Sequence, residues 1–120
     1  MKILGVEIEY SFTNGDNVKK FEDNYEIVTN KISSFNGKEK LSEVINGTCE
    51  AIDLFFDKVF GDGTAKKLFK GNELKDRFRA FKELKEARDA QEKEYEDLLQ
   101  VFTSQTEIAE NKYSSDRTKR

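Results

Sequence analysis

Residues 49–74 read CEAIDLFFDKVFGDGTAKKLFKGNEL, and they place Phe55, Phe56, Phe60 and Phe69 around a corner bracketed by Gly61 and Gly63. Each ring buries a large apolar area and needs specific neighbours. The stretch is therefore core or interface, and two helices meet in it. Before the corner, a helix over about 39–60 carries Leu41, Val44, Ile45, Cys49, Ile52, Leu54, Phe55, Phe56, Val59 and Phe60. That coverage exceeds one face and marks the central element of the core, or a helix shared between core and partner. Gly61 supplies a left-handed cap after Phe60, and Thr64 caps a short helix holding Ala65, Leu68 and Phe69. Gly71 stops that helix, and Asn72 caps a third long one.

Working outward, the third helix runs from Glu73 to about Glu110 without Gly or Pro. Leu74, Phe78, Phe81, Leu84, Tyr95, Leu98, Leu99, Phe102 and Ile108 keep helical spacing around a gap. Within the gap, KEARDAQEKE (85–94), only Ala87 and Ala90 are apolar, so this part is expected to project into water. Ion pairs one turn apart, such as Lys85 with Asp89 and Asp89 with Lys93, would hold it. Toward the N-terminus, Leu4, Val6, Ile8, Tyr10 and Phe12 alternate with polar residues, the period of a half-buried strand, and Gly5 allows a small hairpin. After Asn14-Gly15-Asp16, Val18, Phe21, Tyr25, Val28, Ile32 and Phe35 form a narrow seam on one helix, ended by the loop SSFNGK (33–38). The expected architecture is α+β and mainly α-helical: an N-terminal strand or small β-hairpin packed on three helices, the last long and partly projecting. Residues 1–110 form one domain, and residues 111–120 are expected to be a flexible polar basic tail.

Composition narrows the function. In 120 residues, 38% are charged and 36% hydrophobic, mean hydropathy is -0.80 and net charge is -3. Proline, histidine and tryptophan are absent. Without histidine the chain lacks the commonest acid/base group and metal ligand near neutral pH, and Ser, Thr and Cys have no such base to activate them. The expectation is a protein that is not an enzyme and holds no cofactor or metal. Cys49, the sole cysteine, reads as a packed thiol. MKILGVEIEY lacks the apolar core of a signal peptide, and no segment has the length of a membrane span. A soluble, cytosolic protein is expected.

Asp53, Asp57 and Asp62 lack the ligand spacing of a calcium loop and read as solvated carboxylates. GDGTAKK lacks the spacing of a phosphate loop. Arg77, Arg79, Lys82, Lys85, Arg88 and Lys93 share a helix, but interleaved acids cancel their field, which argues against nucleic acid.

The corner sequence, preceded by KLSEVINGT (40–48), resembles the core motif of tail assembly chaperones from long-tailed phages and prophages of Gram-positive bacteria. ILGVEIEYSF (3–12) is similar to that family's opening strand, with Leu4 where Asn is usual, and the similarity extends over about residues 3–85. Lys70 intervenes before Gly71, where the family more often has Gly directly after Phe. The resemblance implies a scaffold that coats the tape measure protein, keeps it soluble until tail tube protein assembles, and forms a homo-oligomer. It implies action in the cytoplasm of the bacterial host and absence from the mature virion. Phe55, Phe56, Phe60, Leu68 and Phe69 are the candidates for partner binding, by helix-in-groove contact, with the core as their alternative place. A prophage nucleic-acid-binding regulator and a helical oligomeric scaffold of another role are the competing readings.

Overall fold

The computed structural model describes residues 1–118, with side chains described as far as Thr103. Two short strands, β1 (Lys2–Ile3) and β2 (Val6–Glu7), are followed by helices α1 (Gly15–Ser33), α2 (Leu41–Phe60), α3 (Thr64–Leu68) and α4 (Leu74–Thr118). The fold is α+β and mainly helical, as expected.

The strands pair antiparallel with Lys2 opposite Glu7 and Ile3 opposite Val6. Leu4 (φ 49°) and Gly5 (φ 82°) both have positive φ, the two-residue hairpin turn whose twist matches that of the strands. Leucine is an uncommon occupant of this region, and asparagine the usual one. The alternating segment is thus a minimal hairpin followed by extended chain, rather than one strand to Phe12. From Val6 onward the inward positions still behave as a strand face: Val6, Ile8 and Tyr10 are half-buried and Phe12 is buried, while Glu7, Glu9 and Ser11 are exposed.

Asn14 caps α1, its Oδ1 accepting from the Asn17 N–H at 3.0 Å, while Asp16 sits in the first turn. The α1 seam divides. Phe21 and Val28, two turns apart, are buried against the body, whereas Tyr25 and Ile32 remain exposed. α2 begins two residues later than expected, with Glu43 accepting from the Lys40 N–H at 3.1 Å. It is the central helix: Thr48, Cys49, Ile52, Phe55, Phe56 and Val59 are all buried. Gly47 lets the Phe35 ring lie across α2, where a Cβ would meet its Cζ at 2.8 Å.

The corner after α2 is built differently from its sequence reading. Gly61 has φ 115° and ψ 149°, an extended conformation of positive φ rather than a left-handed helical cap. The free N–H at the start of α3 is met by Asp57, whose Oδ1 accepts from Ala65 at 2.9 Å, while the Thr64 hydroxyl donates to the Gly61 carbonyl at 2.6 Å. Asn72 does not cap α4. Its amide donates to the Asn46 side chain at 3.0 Å, and the Glu73 carboxylate accepts from the Lys75 N–H at 3.3 Å.

α4 packs first on α2 and the hairpin and then continues past them. At about 1.5 Å per residue its 45 residues extend over about 67 Å. Ala80 and Leu84 are buried, and Glu83 accepts from the Leu4 N–H at 2.7 Å. The polar gap is not simply solvated. Gln91 grips the extended chain after β2 with both ends of its amide: Oε1 accepts from the Phe12 N–H at 2.8 Å, and Nε2 donates to the Tyr10 carbonyl at 3.0 Å. A side-chain amide here replaces a missing neighbouring strand, which the polarity of the stretch concealed. The ion pair found in the gap joins Arg88 and Glu92, Nε to Oε2 at 3.4 Å, rather than Lys85 with Asp89 or Asp89 with Lys93. Helix α4 passes the expected end at Glu110 and reaches Thr118; the mobility expected of residues 111–120 concerns side chains outside the described residues.

A candidate helix-binding furrow between α1 and α4

The five aromatic and aliphatic candidates at the corner do not form an open groove. Phe55, Phe56 and Phe69 are buried, and Phe60 and Leu68 are half-buried against the same cluster. The reason is the number of elements converging there. The Phe56 ring meets Phe69 of the corner at a centroid distance of 5.5 Å and Phe81 of α4 at 5.6 Å, Phe55 meets Phe21 of α1 at 5.5 Å, and Phe60 meets Tyr10 after the hairpin at 4.8 Å. Every ring is held by a neighbour from another part of the chain, mostly edge to face.

Arg77 locks the corner to α4. Its side chain is 2% exposed, and Nε and Nη2 donate to the two Asp53 carboxylate oxygens at 3.0 and 2.9 Å. Nη1 donates to the Glu73 carbonyl at 3.3 Å, and the guanidinium carbon stands 4.4 Å from the centre of the Phe69 ring. A two-pronged pair of this kind fixes orientation as well as charge. Asp53 and Asp57 are therefore structural acceptors rather than free surface carboxylates. Arg77 is removed from any cationic surface; Arg79, Lys82, Lys85 and Lys93 stay exposed. Cys49 is buried too, and burial pushes its thiol up from the ordinary value, which suits packing and opposes nucleophilic use.

What the fold leaves open lies on the other side. α1 and α4 both pack on α2, leaving between them a furrow made of two cavities that share Phe21 and Arg88 in their lining. One, of about 650 Å³, is walled by Tyr25, Val28 and Ile32 from α1 and Phe78 and Phe81 from α4, with Lys82 and Lys85 on its rim. The other, of about 770 Å³, continues past Val18 and Glu22 toward Glu92 and Tyr95. At the junction the Arg88 guanidinium lies 5.5 Å from the Phe21 ring centre. The walls expose large apolar groups to water, with Tyr25 at 49%, Phe78 at 54% and Tyr95 at 51%. Apolar walls with charged rims suit an amphipathic helix. Sequence reading missed this site because Tyr25, Ile32 and Phe78 keep core spacing. The signal available was the narrowness of the α1 seam together with the excess of aromatics on α4.

A family model described as a family of unknown function (DUF6673) matches residues 4–120. The chain belongs to this family. The match takes in the hairpin turn and β2, the corner and both walls of the furrow. No curated protein matches the chain, and no solved structure does. Among the described residues, no helix is long and apolar enough to cross a membrane, and no cluster of His, Cys, Asp or Glu is placed to hold a metal ion.

Proposed function

We propose that this member of the DUF6673 family is a non-enzymatic phage tail assembly chaperone, one that binds and solubilises the tape measure protein and helps recruit tail tube protein. Two things support the reading: the resemblance of residues 40–74 to that chaperone motif, and a furrow suited to a helix. The furrow carries the assignment to binding. An open cleft whose walls are Tyr25, Ile32, Phe78 and Phe81 fits the apolar stripe of a long helical client by shape and hydrophobicity. The partner site moves accordingly, from the five buried corner residues to α1 and α4. The setting proposed is the cytoplasm of the bacterial host, with no place in the finished virion, no nucleic-acid role, and self-association of the chaperone.

Co-expression with the tape measure protein of the same phage tests the reading. The expected result is a soluble complex that the double variant Tyr25→Glu, Phe78→Glu no longer yields. A tape measure that stays insoluble with the native chain overturns it. A salt-dependent shift of duplex DNA would point instead to the regulator.

A further inference from the structure

Along α4, Phe78, Phe81, Lys85, Arg88, Glu92, Tyr95, Leu99 and Phe102 recur at alternating steps of three and four, a heptad seam. Phe78, Phe81, Lys85 and Arg88 line the first cavity of the furrow, and Arg88, Glu92 and Tyr95 line the second. The seam is symmetric in spacing about its midpoint at Ala90, with apolar ends and opposite charges nearest the centre. Reversed on itself it sets Phe78 against Phe102, Phe81 against Leu99, Lys85 against Tyr95, and Arg88 against Glu92. Charge has the same reversal. Residues 75–88 hold six cations and three carboxylates, whereas residues 89–102 hold five carboxylates and one lysine.

We propose that a second copy of this chain occupies the furrow, with α4 pairing antiparallel to α4 about a two-fold axis at Ala90. A parallel pair would stack the basic halves together and the acidic halves together. The antiparallel pair places each basic half on the acidic half of the other copy, and Lys82 flanks Glu96 twice. Its rings include Phe78, Tyr95 and Phe102, each more than half exposed in the single chain. One contact works against it: Asp89 of each copy faces the other across the axis. The interface is isologous, so it closes at two copies. This inference rests on reading the furrow as a helix-docking surface, and a client helix would compete with the second copy for it.

The test uses the protein alone. Light scattering at low ionic strength is expected to give twice the 13.9 kDa of the chain. Phe102→Glu should raise the dimer dissociation constant at least about tenfold, with circular dichroism checking that the variant keeps its helix content. Arg88→Glu and Glu92→Arg should each weaken the dimer, and their combination should restore it. Asp89→Asn should tighten it, and Asp89→Cys should crosslink to itself through a short bis-maleimide, Cys49 being buried. A monomer at all concentrations, or an oligomer indifferent to Phe102→Glu, overturns the proposal. A dimer that leaves the tape measure insoluble would defeat the chaperone reading alone, and a monomer that solubilises it would defeat this one alone.

Discussion

The corner at residues 55–69 and the α4 segment at residues 95–102 hold similar side chains and meet opposite fates. Phe55, Phe56 and Phe69 are at most 6% exposed, whereas Leu98, Val101 and Phe102 are 59%, 59% and 65% exposed. Both segments have helical apolar spacing. The difference is that α1, α4 and the hairpin all converge on the corner, while the distal part of α4 runs beyond them. Apolar content therefore marks where burial is available, and the path of the chain decides whether it happens within one molecule.

The sharpest break of this comparison is a pair of truncations. Phe56→Ala should cost about 4 kcal/mol by loss of a buried ring and the cavity left behind, whereas Leu98→Ala should change the stability of the isolated chain by about 0.5 kcal/mol or less. Denaturant unfolding measures both, and similar losses would mean that the distal helix is part of the body after all. Next in size, Asp53→Ala strands the Arg77 guanidinium inside the corner. A loss of about 3 kcal/mol is expected, with Arg79→Ala, at an exposed neighbour, close to neutral.

Gly61→Ala tests the backbone of the corner by itself. Nothing lies within 4 Å of the site a Cβ would take, so a loss of about 2 kcal/mol would come from the strained φ of 115° alone. A neutral outcome would show that the corner adopts another backbone. Gln91→Ala marks the boundary between the two regions. Removing both contacts to Tyr10 and Phe12 should cost about 1 kcal/mol, and hydrogen exchange at the Phe12 amide should quicken while that at Ala80 does not.

The smallest effect concerns Cys49. Its thiol is raised chiefly by burial, partly offset by Arg77. A raised value favours the protonated form in the folded state. Its contribution is therefore complete below the pH at which the unfolded thiol titrates, about 8.5, and fades as pH rises through the higher folded value. Stability of the native chain should fall slightly more steeply above that pH than that of Cys49→Ala. Labelling of the native thiol should track unfolding, and rapid labelling at neutral pH would place Cys49 outside the core.

Much of the architecture was legible. Period-2 alternation with Gly5 indicated the hairpin, the Phe-rich run with its glycines indicated the corner, and the absence of Gly and Pro after Glu73 indicated the long helix. These features depend on local backbone preference and spacing, which a sequence displays directly. The caps were less legible: Asp57 rather than Thr64 accepts from the Ala65 N–H in the first turn of α3, because an acceptor eight residues away becomes adjacent only once the corner closes. The partner site was the least legible. Phe56 and Phe78 are alike as residues, yet one is enclosed and the other forms a furrow wall.

By itself the sequence determined a mainly helical chain with a small hairpin, a glycine-bracketed aromatic corner and a long mixed-charge helix, since propensity, periodicity and turn chemistry act over a few residues. Only the tertiary structure decided that the corner is closed by the Arg77–Asp53 pair, that Gln91 serves as a surrogate strand edge, and that a furrow stays open between α1 and α4. Those outcomes depend on which distant elements share space, and burial and electrostatic pairing are properties of that shared space rather than of any one segment.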